Sequence, residues 1–174
     1  PALSVAWLPD EPDEGCRLAI GMQTDGSVPS EVIVVELDCN VEGRLDVGDP
    51  WRSWKLDGLG TAEGFGCSVA SGCGPLRPLA RMKHPTEVNC VAPCPQRPQL
   101  LATKAATGAV LLFDYKAKRP TNEVHPDAQL VAPGPAVDGF ALCWSPLRRH
   151  LLASGGNDGR LCVWDVETAL KAGT

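Results

Sequence analysis

The sequence predicts an all-β chain built from small antiparallel sheets. The first observation behind this is a repeat at an offset of 51 positions. Leu101-Ala102-Thr103 answers Leu152-Ala153-Ser154, Thr107-Gly108 answers Asp158-Gly159, Phe113-Asp114 answers Trp164-Asp165, and upstream Glu87 answers Asp138. A repeat that keeps turns, apolar strands and a closing Asp in register is a unit of architecture. The second observation is composition: Gly 18 and Pro 16 in 174 residues suit many short strands joined by turns. The third is that no segment of about ten residues carries a clear amphipathic helical period.

The amino-terminal strands are expected over Leu3 to Leu8, Arg17 to Gly21 and Glu31 to Leu37, the last rich in Val and Ile (Val32-Ile33-Val34-Val35). They form a meander over residues 1–37, with an acidic turn from Asp10 to Gly15 and a polar one from Gln23 to Ser30. Residues 38–78 read as an irregular Gly- and Pro-rich connection that contains Trp51 and Trp54. A first full repeat occupies 79–115, with strands Val88 to Ala92, Leu100 to Lys104 and Val110 to Tyr115. A polar inter-blade loop follows over 116–130. The second repeat occupies 131–166, with strands Phe140 to Trp144, His150 to Ser154 and Leu161 to Asp165. Asn157-Asp158-Gly159 marks its tight reversal, since Asp and Gly tolerate positive φ. The tail, 167–174, has weak helical character and no evident cap. A sheet of three or four such strands cannot bury both faces alone, so it must stack on a neighbour as propeller blades do.

The formal charge of −5 argues against non-specific nucleic-acid binding, which needs a cationic footprint, and permits a basic partner. No stretch approaches the ~20 apolar residues of a membrane span. The first residue is Pro1 and no basic-then-apolar leader follows, so either a processed or excised piece or a chain whose start was lost is expected. The eight cysteines form no CxxC pair; the nearest zinc candidate is Cys90 and Cys94 with His84, and no metal or other cofactor is expected. Cys90, Cys143 and Cys162 lie in apolar strands, where a reduced thiol acts as a small hydrophobe. Catalysis has little support. His84, His125 and His150 have no nucleophile-elbow Ser beside them, and Asp114 and Asp165 end strands, where carboxylates commonly accept turn amides. Trp7, Trp144 and Trp164 are expected in the core at blade interfaces.

The stretch His150-Leu151-Leu152-Ala153-Ser154-Gly155-Gly156-Asn157-Asp158-Gly159-Arg160-Leu161-Cys162-Val163-Trp164-Asp165 resembles a WD40 repeat, with Trp164-Asp165 as the naming dipeptide. Together with Pro1 to Asp10, Gly64-Phe65-Gly66, Glu87-Val88-Asn89, Ala102-Thr103-Lys104 and Val110 to Tyr115, the chain is similar to the retinoblastoma-binding family of WD40 histone-binding proteins. The resemblance implies a WD40 β-propeller segment, about two complete blades plus an amino-terminal meander, where full relatives are seven-bladed. It implies a non-catalytic, nuclear scaffold in chromatin assembly, deacetylase or methyltransferase complexes, with no direct nucleic-acid or membrane partner. A WD40 scaffold without histone binding is the rival reading, and a zinc-stabilised domain a more distant one.

Blades of this family often carry a hydrogen-bonded set of His, strand Ser or Thr, turn Asp and Trp. In the second repeat Ser154, Asp158, Trp164 and the closing Asp165 are present, but Pro135 stands at the His position, which predicts a softer blade. In the first repeat His84 is in place, with Thr107 at the turn position and Phe113 at the Trp position. By the same resemblance Glu87, Asn89, Asp138 and Phe140, with Gln23 after the second strand, would ring the mouth of a central channel and hold the basic tail of histone H3 or a similar peptide. Asn89 and Phe140 are expected to point the same way from equivalent positions.

An arc of blades leaves apolar side faces open. The polypeptide of 174 residues on its own is therefore expected to be poorly soluble or oligomeric. A sharp, reversible melt of a monomer in sedimentation and calorimetry contradicts that.

Overall fold

The computed structural model describes residues 2–9, 15–23, 30–37, 76–117, 125–135 and 137–172. Eleven strands and one helix lie within them: β1 Ala2–Trp7, β2 Cys16–Met22, β3 Ser30–Leu37, β4 Leu76–His84, β5 Val88–Cys94, β6 Arg97–Ala105, β7 Val110–Asp114, β8 Ala128–Leu130, β9 Leu142–Trp144, β10 Leu151–Gly155, β11 Leu161–Asp165 and α1 Val166–Ala172. They form three antiparallel sheets, in strand orders β1-β2-β3-β4, β5-β6-β7-β8 and β11-β10-β9. The acidic turn after Asp10, the connection through Trp51 and Trp54, and Gly64-Phe65-Gly66 lie outside the described residues.

The central strands are apolar on both faces because both faces are covered. In β7, Leu111 and Phe113 pack with Val32, Val34 and Met82 of the first sheet. The alternate residues Val110 and Leu112 pack with Trp144 and Leu152 of the third and with Val166 at the start of α1. Strand side chains alternate with period two, so one run of four apolar residues serves two interfaces. Val32 and Val34 divide from Ile33 and Val35 of β3 in the same way, the latter pair lying with Ile20 and Leu37 on the far side of the first sheet. On β11 the alternation leaves Leu161 and Val163 outward and exposed.

Two connections differ from the sequence expectation. Residues 76–84 form β4, which pairs with β3 from Ser30↔His84 to Leu37↔Leu76 and completes the first sheet. The repeat expected to start as its own blade near Leu79 thus begins inside the preceding sheet. Residues 128–130, expected within a loop, form β8 against β7 (Leu112↔Ala128), and Asp127 Oδ2 accepts the Asp114 amide at 2.6 Å. Sequence pattern locates strands but not their partners, and three residues are too few for a period to register. The tail also departs from expectation. Asp165 Oδ1 accepts the Thr168 amide at 3.1 Å and caps α1, whose Val166, Ala169 and Leu170 join the interface of the second and third sheets.

The offset of 51 recurs in the hydrogen bonds. Gly108 (φ 85) and Gly159 (φ 78) occupy equivalent turns, and Gly108 N to Ala105 O (2.8 Å) is matched by Gly159 N to Gly156 O (3.1 Å). Ala106 N to Glu87 O (3.1 Å) is matched by Asn157 N to Asp138 O (2.8 Å), and Tyr115 N to Gln99 O (3.1 Å) by Val166 N to His150 O (2.8 Å). The two turns differ in crowding: a Cβ at Gly108 would run into the Val137 carbonyl, whereas one at Gly159 meets open space. Gly159→Ala should therefore cost about 1–2 kcal/mol for the left-handed backbone alone. Gly108→Ala should cost about 1–3 kcal/mol more for the overlap, read as the difference in urea midpoints of the intact protein.

Candidate functional site

The inner strands β1, β5 and β9 lie side by side, each the first strand of its sheet. Val91 N donates to Ser4 Oγ (3.0 Å) across the first boundary and Trp144 Nε1 to the Ala92 carbonyl (2.8 Å) across the second. Glu87 precedes β5, Asp138 and Phe140 precede β9, and Gln23 follows β2 beside the start of β1, where Met22 pairs with Ala2. All four therefore belong to one end of the stack. Gln23 and Phe140 are exposed, the latter at 56%, and Glu87 is half-buried.

Asn89 and Phe140 do not point the same way, although they are equivalent in the repeat. Asn89 is 7% exposed, and its Nδ2 donates to Asp138 Oδ1 and to the Gly139 carbonyl (3.1 Å). Asp138 Oδ1 also accepts the Gly139 amide at 2.7 Å. Asn89 thus locks the end of one sheet to the next and holds the Asp138 carboxylate in place. Phe140 lies ahead of β9 and faces solvent. The signal that finds this lock is steric: in a stack, a first-strand residue of one sheet meets the segment entering the next.

The sets behind these positions are built differently in the two repeats. His84 is buried, with Nδ1 2.6 Å from the Thr86 carbonyl and Nε2 3.0 Å from Thr103 Oγ1. A carbonyl only accepts, so Nδ1 carries the proton and Nε2 accepts from the threonine hydroxyl. The ring lies 6.2 Å from that of Phe113, at 33°. Burial lowers the His84 pKa, against an opposing effect of the bond to Thr86. In the third sheet Trp164 Nε1 donates to Ser154 Oγ at 2.9 Å. Asp158 accepts from the Arg160 amide (Oδ1, 3.0 Å) and pairs with Arg160 Nε (Oδ2, 3.1 Å), while Arg160 Nη1 reaches the Pro133 carbonyl at 2.7 Å. The turn Asp, without a histidine to meet, is held by arginine.

Trp144 is buried and Trp164 half-buried, but Trp7 is 64% exposed at the other end of β1. Alternation from Ala6 and Leu8, which join the core, turns Trp7 the opposite way. Cys143 is exposed for the same reason, while Cys90 and Cys162 are half-buried; burial is the main cause that pushes the Cys90 thiol pKa up. His84 and Cys94 do not converge on a metal: both ring nitrogens of His84 are engaged, and Cys94 lies near Gln96 and the Arg149 carbonyl. Asp114 accepts the Lys116 amide at 3.1 Å, a strand-end role like that of Asp165.

Residues 133–165 match the family described as WD domain, G-beta repeat. The chain is 33% identical over 183 residues to histone acetyltransferase type B subunit 2 of Gibberella zeae, covering 99% of this chain and 40% of that protein. It is 29% identical over 177 residues to the protein of the same name from Neurospora crassa, covering 97% of this chain and 39% of that one. The chain thus spans about two fifths of the length of these curated relatives.

The direction of the His84 shift gives a test. Burial favours the neutral form of His84 in the fold, so the unfolded chain binds its proton first. This contribution to stability is full above the unfolded value of about 6.5 and declines as pH falls from there towards the lower folded pKa. Denaturation midpoints of the intact protein should fall across that window, and His84→Gln should flatten the fall.

Proposed function

We propose that this chain, which belongs to the WD40-repeat proteins and is related along nearly its whole length to histone acetyltransferase type B subunit 2, is a histone-binding adaptor without chemistry of its own. It serves as a scaffold subunit of chromatin assembly or modifying complexes in the nucleus. The observation that carries the reading is the 33% identity across 99% of the chain to a protein named as a subunit of a histone-modifying enzyme. The described groups best suited to acid–base work support a structural role: both His84 nitrogens are hydrogen-bonded inside the fold, and Asp114 and Asp165 hold backbone amides.

The end of the stack that carries Glu87, Asp138 and Phe140 suits an extended basic peptide. Two carboxylates on neighbouring sheets attract Lys or Arg, and an exposed aromatic ring adds apolar and cation–π contact. Asn89 acts indirectly, by fixing Asp138. Gln23 adds an exposed amide at the same end. The basic amino-terminal tail of histone H3 is the ligand of this class that the family resemblance names.

Titration of the intact protein with an unmodified H3 tail peptide tests the reading. Glu87→Lys should weaken binding about ten-fold, and Phe140→Ala by several-fold. Asp138→Asn keeps an acceptor for Gly139 and should have a smaller effect than Glu87→Lys. Affinity should fall as salt rises, because exposed charges are screened beyond about 8–10 Å. Unchanged affinity in Glu87→Lys sinks the acidic mouth. If the intact protein binds no histone peptide at all, the scaffold reading without histone replaces it.

A further inference from the structure

The two repeats carry the same hydrogen-bond frame 51 residues apart, with one ring missing from the later copy. In the earlier copy the imidazole of His84 bridges the Thr86 carbonyl (2.6 Å) and the Thr103 hydroxyl (3.0 Å). The counterparts in the later copy are Pro135, Val137 and Ser154. A proline side chain neither donates nor accepts. Ser154 is 3% exposed and its oxygen accepts Trp164 Nε1 at 2.9 Å. That leaves the serine its own O–H, for which no acceptor stands among the described residues.

The missing ring has left room. Pro135, Val137, Ser154, Cys162 and Trp164 line a cavity of about 140 Å³ between the two sheets. A cavity of about 150 Å³ admits a benzene ring, so the volume here suffices for a smaller five-membered ring, in a pocket that opens to solvent beside exposed Pro135 and Arg160. Arg160, tied to Asp158 and to the Pro133 carbonyl, holds the segment that would carry the ring. Lys104 lines the same cavity, 5% exposed, with its ammonium on the Gly108 carbonyl at 2.6 Å. A buried ammonium repels a second cation and favours a neutral guest.

We propose that this cavity is a binding site for a small, neutral, imidazole-class molecule, which occupies in the second repeat the place His84 holds in the first. Its pyridine-type nitrogen accepts the Ser154 O–H. Its N–H turns towards the Val137 carbonyl, the counterpart of that of Thr86. Its apolar edge lies against Trp164 as His84 lies near Phe113. The proposal is independent of histone binding.

The probe is imidazole itself, titrated into the intact isotope-labelled protein. The readout is the Trp164 indole N–H resonance, assigned by its loss in Trp164→Phe. The expected result is a saturable one-site shift that weakens as pH falls and the free ring takes up its proton. Pyrrole, which donates but has no acceptor nitrogen, should bind at least about ten-fold more weakly, since Ser154 then stays unsatisfied. Pro135→His should abolish the shift by supplying the ring covalently. Cys162→Phe should abolish it by filling the space from β11, which keeps the test decisive if the proline variant fails to fold. A shift that rises linearly without saturating, or that survives in a folded cavity-filling variant, overturns the proposal.

Discussion

The structure depends on face-to-face burial between consecutive sheets. Each large apolar side chain taken out of water is worth about 1.5–3 kcal/mol, and in β7 the four residues Val110 to Phe113 are divided between two neighbours. No one sheet could bury them all. The polar contacts that cross the boundaries are set by the same approach of sheet on sheet. Ser4 meets Val91, Trp144 meets Ala92, Arg17 meets Tyr115 at 2.7 Å and Asn89 meets Asp138. They orient surfaces that apolar packing has already brought together.

Much of this was legible in the sequence because a repeat constrains geometry as well as composition. Gly108 and Gly159 were aligned by residue type, and both have positive φ. The strands of the two repeats came out near their expected bounds because β-branched and leucine-rich runs between turn residues leave few alternatives. Pairing was less legible. Nothing in Leu76 to His84 states that it joins a sheet begun by Ala2, and β8 is too short to announce itself. The candidate mouth was legible as a set of positions. Its internal wiring was not: Asn89 and Phe140 share a repeat position, yet one is buried against the neighbouring sheet and the other is exposed. Equivalence within a repeat fixes the backbone, whereas side-chain direction also depends on what the next sheet presents. Asp165, grouped by the resemblance with the WD set, hydrogen-bonds the helix that follows.

One backbone frame thus supports two chemistries. In the first repeat a buried histidine at the end of β4, its ionised form disfavoured by burial, links a loop to a strand threonine. In the second repeat arginine takes the turn aspartate, tryptophan takes the serine, and a hollow remains between them. Both lie behind the end of the stack where Glu87 and Asp138 stand, so the two repeats brace that end with different hydrogen bonds.

The overlap between repeat and sheet has a mechanical meaning. Because β4 opens one repeat yet completes the sheet before it, the covalent chain stitches each sheet to its successor. Tension applied to a single repeat must be carried as shear through the ladders of two sheets at once. Duplicating or exchanging a repeat in the gene would likewise leave every interior sheet whole, because the unit that moves donates its first strand backwards. An array of this kind can lengthen by copying without ever creating a raw edge in its middle.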